Sequence, residues 1–196
     1  MHLAFDIFQG MGIAAAVGIR PFLPSVVVGA LAAGDVEIHF KGTDYSFLQG
    51  TVFLLVLVVA VIVLALAERR LTQAAARRRP LLIALAIASL ALGALFFAGS
   101  LARGHYAAWP GLIGGVLCAA IGIAATQPLL ERVRARLDQE AASAVPLFAE
   151  AAAVALAALS VLAPPIGLIG VVLLLWLLMA SRRRADQKYA GLRILR

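Results

Sequence analysis

From Ala151 to Ser181 the chain runs for 31 residues without one charged side chain. Three further runs share that property: Phe47 to Ala67, Leu81 to Ala102 and Tyr106 to Leu130. A helix rises about 1.5 Å per residue, so about 20 apolar residues cross the ~30 Å of bilayer hydrocarbon. Without water, each run must pair its backbone groups within itself or with a closed sheet, and apolar runs of this length read as helices. A fifth run, Phe8 to Ala33, is apolar apart from Arg20.

Composition supports lipid as the surrounding medium. The chain is 63% apolar and 14% charged, against about 45–50% and about 25% for a soluble domain. So few charges cannot cover a water-facing surface. One membrane domain over 1–196 is expected, with no sizeable soluble domain beside it.

The longest run exceeds one untilted span. Pro164 and Pro165 sit near its middle, remove two backbone donors and force a turn. That divides it into spans near Ala144 to Ala163 and Ile166 to Ala180, with Arg182, Arg183 and Arg184 able to snorkel. The total is about six transmembrane helices.

Basic residues sort accordingly. With six spans, 14 of the 17 Lys and Arg lie in the second loop, the fourth loop and the C-terminal tail 182–196. Lys41 and Arg103 fall on the other side. This positive-inside bias predicts a multi-pass inner-membrane protein with both termini cytoplasmic. It also accounts for the +7 charge without nucleic acid, and anionic lipids are the expected partners of the basic loops. The opening Met-His-Leu-Ala-Phe-Asp has no basic leader, so the first segment is expected to be retained. Asp6 and Glu68 are expected at solvated cytoplasmic span ends. Cys118 reads as a packing residue.

Two connections carry their own patterns. Val36, Ile38 and Phe40 alternate with Asp35, Glu37, His39 and Lys41, and Lys41-Gly42-Thr43-Asp44 reads as a turn. A short outer hairpin is expected. Leu129, Leu130, Val133 and Leu137 share one face of the fourth loop, which predicts an interfacial helix over Leu129 to Glu140.

Gly12 to Pro21 (GIAAAVGIRP) is echoed by Gly122 to Pro128 (GIAATQP). Each is followed by a linker and two further spans, which makes three spans per half and divides the chain at 1–105 and 106–181. Two halves with an odd number of spans are inverted relative to each other, an architecture of transporters. Chance likeness between Ala/Gly-rich spans is the competing reading.

Gly18-Ile19-Arg20-Pro21-Phe22-Leu23-Pro24 resembles the opening motif of the bacterial membrane family labelled domain of unknown function 4126. Ala144-Val145-Pro146-Leu147-Phe148, followed by Glu150, is similar to that family's second half, as is Ser46-Phe47-Leu48 with the span after it. The resemblance implies a polytopic inner-membrane protein and no established activity. The chain departs from the family around Gln127 and at Glu150-Ala151, where an acidic pair is usual.

The candidate polar site is Arg20, Pro21, Gln127, Pro128 and Glu150. A charge in hydrocarbon costs at least about 2.5–3.5 kcal/mol, so Arg20 must be matched by local chemistry. Pro21 frees a carbonyl near Val17. Either Phe8 to Ala33 is one kinked span with Arg20 near its middle, or a span Leu3 to Ile19 precedes a half-helix Phe22 to Ala33. Glu150 could serve as proton acceptor, cation ligand or partner of an arginine. Gln127 with Thr126 could bond carbonyls freed by Pro128. An Arg that merely caps carbonyls, and an acid that merely snorkels, are the structural alternatives.

His39, His105, Asp35, Glu37 and Asp44 share the outer loops, but no close ligand pair marks a metal site, and none is expected. No catalytic or cofactor motif occurs in context, so neither an enzyme nor a cofactor is expected. The functional expectation is a small transporter or channel, with a homodimer as one way to build a pathway. The rival is a non-conducting scaffold or subunit of a larger membrane complex.

Overall fold

The computed structural model describes residues 2–71 and 75–192. It contains α1 (His2–Ile19), α2 (Phe22–Ala33), a 3₁₀ turn (Ser46–Gln49), α3 (Thr51–Leu71), α4 (Ala75–Arg103), α5 (Trp109–Arg134), α6 (Gln139–Leu162) and α7 (Pro164–Leu192). Arg193 and Arg196 lie outside the described residues, as do the side chains of residues 2, 68–79, 139–140, 142–143 and 183–192.

Four stretches are long and apolar enough to cross a bilayer: Pro80–Arg103, Trp109–Arg134, Ala144–Leu162 and Pro164–Arg182. Leu3–Ile19, Phe22–Ala33 and Thr51–Ala67 are shorter apolar helices. The chain is therefore an all-α protein suited to a membrane.

Helix α1 is the hub, packing against α4, α5, α6 and α7. Ile13, Ala14, Ala15, Ala16 and Val17 are all fully buried. Five consecutive residues sweep more than one turn, so neighbours surround this stretch of the helix completely, while Leu3 and Phe5 at its start are exposed. The sequence permits this because the residues are small. A methyl added to Gly18 would meet the backbone of Ala119 in α5, one on Gly12 would meet Ser160 and Gly167, and one on Gly122 would meet Ala15. Close backbone approach between small residues is the usual cement of membrane bundles.

Prolines divide the chain where expected at Ala163, the C-cap of α6, after which Pro164 opens α7. Proline suits a first helical position, whose N–H has no partner in any case. Of the two readings of the first segment, the broken one holds: α1 stops at Ile19 and α2 begins at Phe22.

The two ends of the bundle can be assigned from side-chain contacts. At one end Arg103 Nη2 contacts Asp6 Oδ1 at 2.5 Å, and its Nη1 donates to the Glu37 carbonyl at 2.6 Å. The start of α1, the loop after α2 and the end of α4 therefore share one end. Asp6 is 3% exposed, so it is neither solvated nor across the bilayer from Arg103 as expected. The physical reason is α2. It turns back along the bundle, which brings the loop after it to the end where α1 begins.

Helices α1 and α5 run in the same direction. Gly10 and Gly114 both abut Phe97, and further along Gly18 abuts Ala119. Inverted halves would run these two oppositely, so the echo between them is not accompanied by inversion.

No strand occurs among the described residues. The expected hairpin at 35–44 is an irregular loop, because Asp35 (φ 54°) and Glu37 (φ 55°) are left-handed and cannot extend a ladder. Its alternation sorts the side chains from Glu37 onward, although Val36 is exposed. Ile38 and Phe40 are fully buried and plug the bundle end, while Asp35, Glu37, His39 and Lys41 are exposed. Gln49 Oε1 accepts from Phe40 N–H at 2.7 Å, and Lys41 contacts Asp35 at 2.5 Å.

The expected interfacial helix over Leu129 to Glu140 is absent too. α5 passes through Pro128 to Arg134, and α6 starts after Asp138, whose side chain accepts from Ala141 N–H. A proline inside a helix costs a bond but need not end it when packing holds both sides.

Candidate functional site

The break between α1 and α2 is built from prolines. Pro21 and Pro24 have no N–H, so the carbonyls of Val17 and Arg20 lack their usual helical donors. Arg20 N–H still bonds to the Ala16 carbonyl at 3.2 Å. Ser25 Oγ donates to the Pro21 carbonyl at 2.6 Å. Arg20 is 8% exposed, Pro21 and Ser25 are buried, and apolar helices surround them. This is a polar island inside the bundle.

Glu150 reaches the same level by register. α1 and α6 run antiparallel, with Gln9 against Val161 and Gly12 against Ser160. Arg20 lies eleven residues on from Gln9, and Glu150 eleven residues back from Val161. At about 1.5 Å per residue, both stand about 16 Å from the shared contact. Both α1 and α2 pack on α6. Glu150 is half-buried, six residues inside the Ala144–Leu162 span, or about 9 Å from its start.

Gln127 and Pro128 do not join this level. Both are exposed on α5, whose buried face is Gly111, Gly115, Cys118, Ala119, Gly122, Ala125 and Thr126. One residue rotates a helical side chain by about 100°, and that step puts Thr126 rather than Gln127 inside. Thr126 Oγ1 donates to the Gly122 carbonyl at 2.6 Å, so its hydroxyl is held by its own helix.

Sequence reasoning missed Gln9. It is 1% exposed, and its Nε2 donates to the Val161 carbonyl at 3.1 Å. Pro165 cannot supply the donor that this carbonyl would normally receive, and Gln9 replaces it. The available signal was a lone amide at 9 in an apolar segment and an orphan carbonyl four residues before Pro165. Gln9 Oε1 is buried without a hydrogen-bond partner.

The Asp6–Arg103 pair was legible only as two separate charges. Among the described residues, no group of three His, Cys, Asp or Glu side chains is placed to hold a metal ion. Two grooves flank Arg132 near the opposite end of the bundle, one between α5 and α7 and one along α5.

Compared with known proteins, the chain matches no family model, no curated protein and no solved structure. The likeness to the domain-of-unknown-function family rests on the short motifs around Arg20, Phe47 and Pro146 alone.

Proposed function

We propose that the chain is a small transporter or channel-like protein of a bacterial inner membrane, with Arg20 and Glu150 as its functional pair. The observation that carries this reading is the register that brings the one buried arginine of the helix break level with the half-buried acid of α6. Charged groups at such depth are expensive, face bundle interiors and mark solute or proton paths. The amides opening α2 add positive partial charge on Arg20's side. An anionic solute, or a proton handed to Glu150, suits that chemistry. Purified protein in liposomes tests it. Arg20→Ala and Glu150→Ala should each abolish a flux that wild type supports, and unchanged flux in both would sink the site assignment.

The same reading sets an orientation. Arginine-rich ends face the cytoplasm. The end that holds Asp6, Lys41 and Arg103 then faces outward, and α1–α2 is a re-entrant hairpin dipping in from outside. Five helices cross, with the N-terminus outside and the C-terminus inside, in place of six crossings with both termini inside.

A second reading, a scaffold or subunit, draws on α3. Val52, Val56, Val59 and Val63 are 57–77% exposed along one face. Lipid covers such a stripe in any membrane protein, and a second copy or a partner subunit would fit it as well. A partner that co-purifies in mild detergent and is lost on Val56→Trp with Val59→Trp would favour this reading.

A further inference from the structure

The arginine-rich end carries a groove between α5 and α7. Leu129, Trp176 and Leu177 line its apolar length, and Arg132 and Ser181 stand towards the helix ends. A second hollow lies along α5 between Arg132, Val133 and Arg136. Arg132 is therefore flanked by open space on two sides.

Its guanidinium is held in place. Nε donates to the Pro128 carbonyl at 2.9 Å, and Nη2 donates to Ser181 Oγ at 2.7 Å. Those two bonds use two of its five N–H groups. The remaining donors form a fixed fork of the kind that matches a phosphate. Arg136 and Arg182 are exposed at the same end. Among the described side chains, the exposed acids there are Glu131 and Asp138, and Asp138 is engaged as the cap of α6.

Depth matters as much as charge. The apolar stretches of α5 and α7 end at Arg134 and Arg182. The groove thus straddles the boundary, with its apolar wall in the hydrocarbon zone and its arginines at head-group level. A free anion would use only the outer part. A phospholipid uses both.

We propose that this groove binds one anionic phospholipid, with its phosphate against Arg132, added attraction from Arg136 and Arg182, and an acyl chain along Leu129, Trp176 and Leu177. The site is independent of any solute path at Arg20 and stands whether or not the chain conducts.

The two tryptophans make the test direct. Trp109 opens α5 at the far end of the bundle, so Trp109→Phe leaves Trp176 as the sole reporter of the groove. The protein is placed in phosphatidylcholine vesicles doped with either phosphatidylglycerol or phosphatidylcholine brominated in the acyl chain. Quenching of Trp176 should reach half-maximum at a mole fraction at least fivefold lower for the anionic lipid. Arg132→Gln should remove about fivefold of that preference, matching the ~1 kcal/mol that one basic residue contributes near an anionic surface. Arg136→Gln with Arg182→Gln, which leaves the Ser181 contact intact, should lower it as well. The reverse reporter, Trp176→Phe, should show no preference at Trp109. Equal quenching by the two lipids overturns the proposal. So does a preference that survives both sets of variants, or one abolished by inorganic phosphate, which would assign the arginines to a free anion.

Discussion

Gln9 Nε2 lies 3.1 Å from the carbonyl oxygen of Val161, the acceptor that Pro165 leaves without a helical donor. A side chain near the start of the chain thereby repairs a backbone defect 152 residues away. The contact also pins the register of α1 against α6, and through it the level of Arg20.

Gln9→Leu should therefore destabilise the protein although it adds apolar volume to an apolar core. It leaves the Val161 carbonyl buried without a donor, a cost of about 1–3 kcal/mol that removal of the partnerless Gln9 Oε1 offsets in part. Thermal unfolding in detergent would read this as a lower midpoint. Stability equal to wild type would mean that water serves the carbonyl instead.

The Asp6–Arg103 contact makes a reciprocal prediction. The Asp6 side chain is 5% exposed and that of Arg103 21%, so removing either partner strands a largely buried charge. Asp6→Asn or Arg103→Gln alone should cost about 3 kcal/mol, at the low end of buried pairs because Arg103 keeps some water. The double variant should cost less than the two single losses together. An additive double-mutant cycle would show that the two groups do not act as a pair.

Close packing around α1 should be intolerant of small additions. A methyl on Gly18 would lie 2.8 Å from Ala119 Cα, so Gly18→Ala should cost about 1–3 kcal/mol by overpacking. At Gly42 space is open but φ is +78°, so Gly42→Ala should cost only the ~1–2 kcal/mol of a left-handed alanine. The yield of monodisperse protein should be lower for Gly18→Ala than for Gly42→Ala, and equal tolerance at both sites would contradict the packing.

Orientation can be read with cysteines. Asp35 lies at the Asp6 end and Arg136 at the opposite end. In intact cells of a Cys118→Ala background, Asp35→Cys should react with an impermeant maleimide and Arg136→Cys should not. A tag before Met1 should be accessible with the Asp35 end. A cytoplasmic N-terminal tag would refute the re-entrant hairpin.

Much of the architecture was legible in the residues. Uncharged runs of about 20 residues demand helices, and consecutive prolines at 164 and 165 demand a break, because both effects act within a few residues. The break at Arg20-Pro21 was one of two local readings for the same reason. The candidate site was half legible. Arg20 and Glu150 were found as rare charges, whereas the inward residue of α5 proved to be Thr126 and not Gln127, a matter of helix rotation that no single-residue signal carries.

Only the tertiary structure decided where these pieces meet. α2 is equally apolar whether it continues outward or turns back, and contacts with α3 and α6 choose the second course. The alternating loop at 35–41 has the period of a strand, but burial of Ile38 and Phe40 in the bundle end satisfies its second half without one, and Val36 stays exposed. Asp6 and Arg103 are 97 residues apart, and nothing local tells either which end of the bundle the other will reach. The physical reason is range. Proline chemistry and lipid solvation act along the chain, while register and the return of a half-helix are set by groups brought together from far apart in it.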